Sequence, residues 1–384
     1  MEIRVLDAES VDDLRDLWSR SFGAMSDATW ARSRMLGELL VRSGRQYGGY
    51  ENGRPVAMAR IYDMAQWWHG RAVSMGGVCG VAVAPEARGR GIGRELVQDV
   101  LERCAAFGHP LSVLYPATAP LYRSFGWELA GAMHQAAFPA EALRGFGSGS
   151  PVELRRAGPD DAAEIAEIIR RVHRDARSSG PIDWGEDAWR IFLAEGDDDY
   201  VYLAEDGVLD YHWGEGGTSL EVDTLVAGSA ETLRALWGIV GSGSSVAKQV
   251  RACLSPHDPV FWLTKERGDG WRELDRWMLR VVNAPAAIEA RGYPAGVSAE
   301  VLLEIDDPWM RANSGFWWLV VKDGQGRLER AAESRSAVRV GPRGLAALYA
   351  GVPSATLRGA GLLDGHVPVL DSVFAAAPFT LDSF

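Results

Sequence analysis

The chain has 384 residues, of which 47% are hydrophobic and 24% are charged, the composition of an ordinary globular protein. This length favours two or three domains, because a single hydrophobic core rarely grows to that size. The formal net charge of −12 argues against a nucleic-acid-binding protein, since contact with a phosphate backbone needs a basic face.

The sequence predicts a cytoplasmic protein without membrane segments or a metal site. No stretch approaches the roughly 18 apolar residues that a membrane span needs, and the opening MEIRVLDAES lacks the basic and apolar regions of a signal peptide. The three cysteines are too scattered for a disulfide framework or a zinc knuckle, and the seven histidines show no ligand spacing.

Two parts of the chain begin with the same pattern. The opening MEIRVLDAESVDDLRDLW predicts a short strand, a loop and a helix, and VELRRAGPDDAAEIAEII repeats this plan. Each part continues into a hairpin, marked by Asn52-Gly53 in the first and Asp206-Gly207 in the second. A strand and a helix follow each hairpin, but only the first part has arginines and glycines between them. We therefore predict one working site and one degenerate copy.

The pattern changes near residue 286 to strands such as AEVLLEI and GFWWLVV, followed by the helix RGLAALYAG. These features predict an α/β chain of three domains, covering residues 1–145, 151–285 and 286–384. The first two are joined by the glycine- and serine-rich stretch GFGSGSP, which is typical of a linker.

The arginine- and glycine-rich loop connects a strand to a helix. Val81 and Val83 suit a buried strand, and Pro85 ends its ladder because proline has no N–H to donate. Beyond the loop, Ile92 and Leu96 begin an apolar row at four-residue spacing. The loop therefore opens an amphipathic helix.

The composition of this loop is suited to a bulky anion such as a diphosphate. A helix N-terminus presents free backbone N–H groups, and Gly89, Gly91 and Gly93 let an anion approach them, while Arg88 and Arg90 add positive charge. The loop lacks the Gly-Lys-Ser/Thr of a Walker loop. It also has an arginine where the dinucleotide fingerprint requires its third glycine.

The pattern Arg88-x-x-Gly91-x-Gly93 resembles the loop with which GCN5-related N-acetyltransferases hold the pyrophosphate of acetyl-coenzyme A. The resemblance implies acetyl-coenzyme A as cosubstrate and a strand whose backbone polarises the thioester carbonyl. The implied contact residues are Val81, Ala82 and Val83 in the strand and Arg88, Gly89, Arg90, Gly91, Ile92 and Gly93 in the loop.

Other segments resemble the enhanced-intracellular-survival (Eis) family of multi-acetylating aminoglycoside acetyltransferases. They are APLYRSFGWE, the junction LRVVNAPAAIEARGY, LAALYAGVPSATL and the terminal Phe384. The resemblance covers essentially the whole chain. It implies tandem acetyltransferase domains followed by a sterol-carrier-protein-like domain, a hexamer, and a role in antibiotic resistance.

The same resemblance implies two catalytic groups. Tyr122 would protonate the departing thiolate, and the α-carboxylate of Phe384 would act as general base towards the amine. From the residues alone, Tyr122 also suits a core tyrosine near a helix end, and most C-termini are frayed. The apolar APFT that precedes the last residues favours a docked terminus.

The acceptor half of the site departs from the family pattern. Ala24 and Ser383 stand where the family has carboxylates for its cationic acceptor, although Asp27 and Asp382 lie nearby in the sequence. This departure weakens the aminoglycoside assignment.

By resemblance, Trp30, Trp67 and Trp68 lie in segments that line the acceptor cleft. They would make the pocket more apolar and aromatic, and the alternative is that they pack in the core or at an interface. His69 follows them, either beside the pocket or in a surface loop.

These observations predict an acetyl-coenzyme A-dependent N-acetyltransferase in which a small-molecule amine, aminoglycoside-type by resemblance, attacks the thioester directly. One alternative keeps the reaction but changes the acceptor to a less cationic or aromatic amine of secondary metabolism or self-resistance. Another is a non-catalytic protein that binds acyl-coenzyme A.

Overall fold

In a computed structural model, which describes residues 1–7, 9–195, 199–265 and 269–384, the chain forms two β-sheets with helices packed on them. The described strands form one 14-stranded sheet, which the first two units build and to which the third adds one short strand, and one five-stranded sheet in the third unit. The predicted α/β class is thus observed.

The first unit runs from the N-terminus to a long strand that ends at Pro139. Its elements are β1 (Glu2–Val5), α1 (Leu14–Phe22), α2 (Asp27–Arg42), β2 (Gln46–Glu51), β3 (Arg54–Trp68), β4 (Arg71–Val83), α3 (Ile92–Ala106), β5 (Leu111–Leu114), α4 (Ala119–Arg123) and β6 (Glu128–Pro139).

The second unit repeats this order, with one additional short strand between its first two helices. Its elements are β7 (Arg155–Arg156), α5 (Ala162–Asp175), β8 (Ile182–Asp183), α6 (Gly185–Glu195), β9 (Asp199–Ala204), β10 (Gly207–Trp213), β11 (Ser219–Ala227), α7 (Ala230–Ser242), β12 (Gln249–Cys253), α8 (Val260–Leu263) and β13 (Asp269–Val281).

The third unit builds the small sheet in the order β16-β15-β14-β17-β18. Its elements are α9 (Ala284–Ala290), β14 (Ala299–Ile305), β15 (Gly315–Lys322), β16 (Gln325–Arg330), β17 (Val338–Val340), α10 (Pro342–Tyr349), α11 (Ser354–Gly359), β18 (Leu363–Asp364), α12 (Val369–Val373) and β19 (Phe379–Thr380).

Both predicted hairpins are confirmed, but their glycines serve different purposes. Asn52 and Gly53 have φ values of 51° and 76°, which the turn between β2 and β3 requires. Gly207 instead begins β10, opposite Ala204. A Cβ atom there would lie 2.5 Å from Cγ2 of Thr232, so this glycine allows α7 to pack on the hairpin.

The two acetyltransferase-like sheets merge because their last strands exchange places. The strand order β5-β13-β6-β12 puts β13 of the second unit between β5 and β6 of the first. In return, β6 lies between β13 and β12. The first two units therefore share one continuous backbone ladder.

The junction between β13 and the third unit is held by buried polar contacts. Arg280 on β13 is fully buried, and its Nη2 lies 2.7 Å from both carboxylate oxygens of Asp307, which is also fully buried. The side chain of Asn283 accepts a hydrogen bond from the N–H of Ala286 and caps α9. The buried Arg280–Asp307 pair therefore holds the third unit against the shared sheet, and the Asn283 cap begins its first helix.

Candidate active site

The parallel strands β4 and β5 pair briefly and then separate. Their register ends at Gly77 and Val113. Beyond this point β4 continues through Val81, Ala82 and Val83 with β3 on one side and no described strand on the other. We call this opening the fork. It leaves one edge of β4 without ladder partners, so its backbone groups are open to a ligand.

The loop after β4 presents an open helix N-terminus at the outer end of the fork. Gly89 and Gly91 have φ values of 76° and 83°, and a Cβ atom on either would meet nothing within 4 Å. Gly91 is the N-cap of α3, and no side chain caps the helix. Ile92 is buried and anchors the first turn, while Gly93 is half-buried.

The loop arginines are exposed on either side of this backbone. Arg88 donates a hydrogen bond from Nε to the carbonyl oxygen of Val83 at 3.1 Å, which ties the loop to the end of β4. Arg90 forms an ion pair with Glu51 at 2.8 Å. Exposed guanidinium groups, open backbone N–H groups and the positive end of α3 together fit a diphosphate.

Tyr122 lies on α4, the short helix that follows β5. Its side chain is 6% exposed, and its ring centroid lies 6.2 Å from that of Trp127. Burial, with a smaller contribution from the Cys79 thiol on β4, raises the pKa of Tyr122 to about 12. The hydroxyl donates to no described residue. It therefore keeps its proton throughout the neutral pH range.

The C-terminal segment leaves the third unit and docks on the first. Phe379 of β19 pairs in parallel with Ala132 of β6. The hydroxyl of Tyr115, just after β5, lies 2.6 Å from Oγ1 of Thr380 and 2.9 Å from the carbonyl oxygen of Asp382. The terminus is therefore held against the sheet by backbone and side-chain contacts.

The ring of Phe384 packs where β4 and β5 separate. A Cβ atom on Gly77 would lie 2.1 Å from Cε of Met64 and 3.1 Å from Cε2 of Phe384, so the glycine makes room for both side chains. The ring centroid lies 5.7 Å from that of Tyr115 and 6.2 Å from those of Tyr62 and Trp184. The last residue thus reaches the base of the fork, and its carboxylate forms no ion pair with any residue that the structure describes.

Models of known families match the three units in turn. Residues 2–130 and 180–281 each match an acetyltransferase (GNAT) domain, and residues 284–380 match a sterol carrier protein domain. The chain is 30% identical over 312 residues to the N-acetyltransferase Eis of Mycobacterium tuberculosis, a match that covers 76% of this chain and 74% of that protein. The chain belongs to the Eis family of GCN5-related N-acetyltransferases.

Solved structures agree with this assignment. A GCN5-related N-acetyltransferase from Kribbella flavida is 44% identical, covers 100% of this chain and 98% of its own, and superposes with a TM-score of 0.95. Eis1 from Mycobacterium abscessus shares the fold, with 23% identity, full coverage of both chains and a TM-score of 0.77. The predicted tandem domains, the enzyme class and acetyl-coenzyme A as cosubstrate are therefore confirmed.

In this Eis-type enzyme, Asp382 is the side-chain carboxylate nearest to Phe384 in the sequence. Burial raises the pKa of Asp382 to about 6, a hydrogen bond donated by Trp184 opposes the rise, and nearby Asp223 adds to it. Asp27, the other displaced carboxylate, is exposed and forms an ion pair with Arg15. The terminus therefore buries a carboxylate against Trp184 of the second unit, two residues before Phe384, whereas Asp27 stays at the surface.

The second unit adds acidic groups that the sequence analysis missed. Burial, followed by the charges of Asp223 and Asp199, raises the pKa of Asp210 to about 8. His212 lies 2.8 Å from Asp223. Asp210 and Asp223 lie on the neighbouring strands β10 and β11. The alternation of polar residues along these strands is the sequence signal that marks the two aspartates, although such alternation ordinarily indicates a face exposed to solvent.

The three predicted tryptophans are buried. Trp30 is 6% exposed and Trp67 4% exposed, with the ring centroid of Trp67 6.2 Å from that of His173. Trp68 is fully buried, and its ring centroid lies 5.0 Å from that of Tyr349 in the third unit. All three therefore pack in the interior, as in the alternative that the sequence left open. A role for them in acceptor binding remains a prediction.

Within the described parts of the chain, no group of three or more His, Cys, Asp or Glu side chains is arranged to hold a metal ion. None of the helices there is both long and apolar enough to cross a membrane.

Proposed function

We propose that this acetyltransferase modifies an amino group of a cationic, aminoglycoside-type small molecule by direct attack on the thioester. The observation that carries this proposal is the docked C-terminus, which brings the Phe384 ring to the base of the fork and buries the Asp382 carboxylate against Trp184. Asp223 of the second unit adds a further acidic group near Asp382, whereas Asp210, whose pKa is raised to about 8, is mostly protonated at pH 7. A cationic amine is the ligand that such a site attracts.

The donor half would be held by the loop and the open edge of β4. Backbone groups around Gly89 and Gly91, with Arg88 and Arg90, would bind the pyrophosphate, and Val81 to Val83 would orient the thioester carbonyl. The open space at both glycines supports this assignment. Acetyl-coenzyme A supplies the acetyl group, and the protein orients it.

Tyr122 would serve as the general acid. As the new C–N bond forms and the C–S bond breaks, the sulfur takes a proton from the Tyr122 hydroxyl. Burial raises its pKa to about 12, which keeps the phenol protonated but makes it a weaker acid than a free thiol, so the transfer requires that the same apolar surroundings disfavour the thiolate as it forms. The thiolate would receive the proton in a site from which water is largely excluded.

The α-carboxylate of Phe384 would orient the attacking amine and accept its proton. The lack of an ion pair with a described residue supports this role, since the carboxylate is not already neutralised. Packing of the ring against Gly77 and Tyr115 would fix the carboxylate in position.

A less cationic or aromatic amine is the second candidate acceptor. The aromatic side chains of Tyr62, Tyr115 and Trp184 around Phe384 favour it, because such rings also stack on an aromatic substrate.

The resemblance to the family further supports a hexamer, a cytoplasmic location and a contribution to antibiotic resistance. Sedimentation of the purified protein tests the hexamer.

The test is thiol release from acetyl-coenzyme A with a panel of aminoglycosides, polyamines and aromatic amines. Preference for aminoglycosides supports the proposed acceptor class, and preference for aromatic amines selects the second candidate. Binding of acetyl-coenzyme A without turnover on any amine would return the function to that of a non-catalytic acyl-coenzyme A-binding protein.

A further inference from the structure

Two cavities adjoin where the three units meet, away from the fork. One has a volume of about 610 Å³ and mainly apolar walls, and the other has a volume of about 580 Å³ and basic walls. His69 and Arg177 line both cavities, so they stand at the boundary. Each volume falls within the range of roughly 300–1,000 Å³ that is typical of small-molecule sites.

The apolar cavity lies beside a second fork, in the second unit. There β11 and β12 pair in parallel up to Val222 and Ala252, and β11 continues to Ala227 beyond the last pair. The cavity is the counterpart of the cleft that the first unit opens between β4 and β5. Its apolar walls include Leu225, Leu233, Leu263, Ala376 and Phe379.

The second fork has no provision for a diphosphate. The side chain of Ser229 accepts a hydrogen bond from the N–H of Thr232 at 3.2 Å and so caps α7. The hydroxyl of Thr232 in turn donates to the carboxylate of Asp206, which places a negative charge near the same helix end. The second fork therefore has an apolar cavity beside it, but the N-terminus of α7 is not available to a phosphate.

The basic cavity carries more positive charge than its neighbours neutralise. Arg71, Arg174 and Arg177 line it, and Asp323 is the acidic residue among its described walls. Arg71 and Arg177 form no ion pair with a described residue, and Arg174 lies 3.7 Å or more from its acidic neighbours. Such a cluster favours an anion.

His69 offers a further polar group at the boundary. Its Nε2 is buried and has no hydrogen-bond partner among the described residues. Burial, with the charges of Arg177 and Arg291, lowers the pKa of His69, so the ring is neutral at pH 7. A neutral ring can donate from Nε2, and a bound anion would supply the missing partner.

We propose that the two cavities form one site for a long-chain anionic amphiphile. The alkyl chain would occupy the apolar cavity, and a carboxylate or phosphate head would lie among Arg71, Arg174 and Arg177. Burial of each methylene group is favourable, which selects against short anions, and an uncharged lipid leaves the arginines without a partner. This site is separate from the acetyl-transfer site and does not depend on the proposed acceptor.

The test is fluorescence of cis-parinaric acid with the full-length protein, below the micelle concentration of each competitor. Palmitate and hexadecyl phosphate should displace the probe, and the more effective of the two identifies the head group. Hexadecanol and acetate should each compete at least about tenfold more weakly. Equal competition by hexadecanol and palmitate would overturn the proposal, as would displacement by saturating acetyl-coenzyme A, which would put the chain in the first fork.

Two variants test the two halves of the site. Arg71→Glu combined with Arg174→Glu should weaken palmitate binding by about tenfold or more and leave hexadecanol binding unchanged. Ala176→Trp, at an exposed position that lines the apolar cavity, should weaken binding of both lipids. The exposed Arg335, outside both cavities, provides the control Arg335→Glu. Unaltered palmitate binding in both test variants, with acetyl transfer intact as evidence of folding, would refute the site.

Discussion

The two acetyltransferase-like units differ most at one helix terminus. In the first unit α3 begins after Gly91, no side chain caps it, and exposed arginines flank it. In the second unit Ser229 caps α7, and Asp206 accepts a hydrogen bond from the hydroxyl of Thr232 in the first turn of that helix. Both units keep a parallel strand pair that separates. An anion site therefore depends on leaving the helix N–H groups unsatisfied, and a copy that caps its own helix loses the site without losing the fold.

The position of the proposed proton donor also differs between the units, and we expect a change at this position to have the largest effect on catalysis. Tyr122 stands two residues after Pro120, and Phe261 occupies the corresponding position after Pro259. We expect Tyr122→Phe to lower kcat by about 10²- to 10³-fold, because the departing thiolate loses its acid. Steady-state kinetics should show no such loss for Phe261→Leu. Equal losses in both variants would indicate a packing role for Tyr122.

The open loop should respond next most strongly. Gly91→Ala puts a side chain at a φ of 83°, which costs about 1–2 kcal/mol, and the methyl group lies where the anion approaches. We expect the KM for acetyl-coenzyme A to rise about tenfold. The control Gly216→Ala, at a φ of 78° and in open space in the second unit, should leave this KM unaltered. A rise in both variants would contradict the assignment of one donor site.

The acidic terminus should give a smaller, pH-dependent effect. Because the pKa of Asp382 is raised to about 6, its negative charge is present above that pH and is lost as the pH falls through it. The KM for a cationic acceptor should therefore rise as the pH is lowered from 7 to 5. Asp382→Asn should raise the KM about threefold to tenfold at pH 7.5 and remove this dependence. An unchanged pH profile in the variant would exclude Asp382 as the titrating group.

The cap of the second unit should affect stability alone. Ser229→Ala removes the acceptor for the N–H of Thr232 and should lower the free energy of unfolding by about 1 kcal/mol. Acetyl-transfer kinetics should not change. Denaturant unfolding measures the first effect, and a change in kcat or in the KM for acetyl-coenzyme A would mean that the second unit contributes to the donor site.

Local features of the sequence predicted much of the fold and the donor half of the site. The glycine spacing around Gly91 and the turn at Asn52 are determined within a few residues, so a short pattern is sufficient. The exchange of β6 and β13 could not be read in this way, because either strand would satisfy the same apolar pattern in its own unit. Strand pairing between distant segments is decided by the tertiary fold.

The acceptor half was harder to predict for the same reason. Asp210 and Asp223 look like solvated strand positions until β10 and β11 are placed beside the C-terminal segment. Gly207 looked like a turn residue, and only the packing of α7 reveals its purpose. The buried state of Trp68 likewise depends on Tyr349, which lies 281 positions further along the chain. Such contacts have no local signature.

We propose that the α-carboxylate of Phe384 completes the site in the first unit. The deciding experiment compares thiol release by the native protein with that of a form extended by a few glycines beyond Phe384, and uses the same extension at the N-terminus as control. We predict a loss of about 10²-fold or more in kcat/KM for the C-terminal extension alone, with acetyl-coenzyme A binding retained. Full turnover by the C-terminally extended form would contradict the claim.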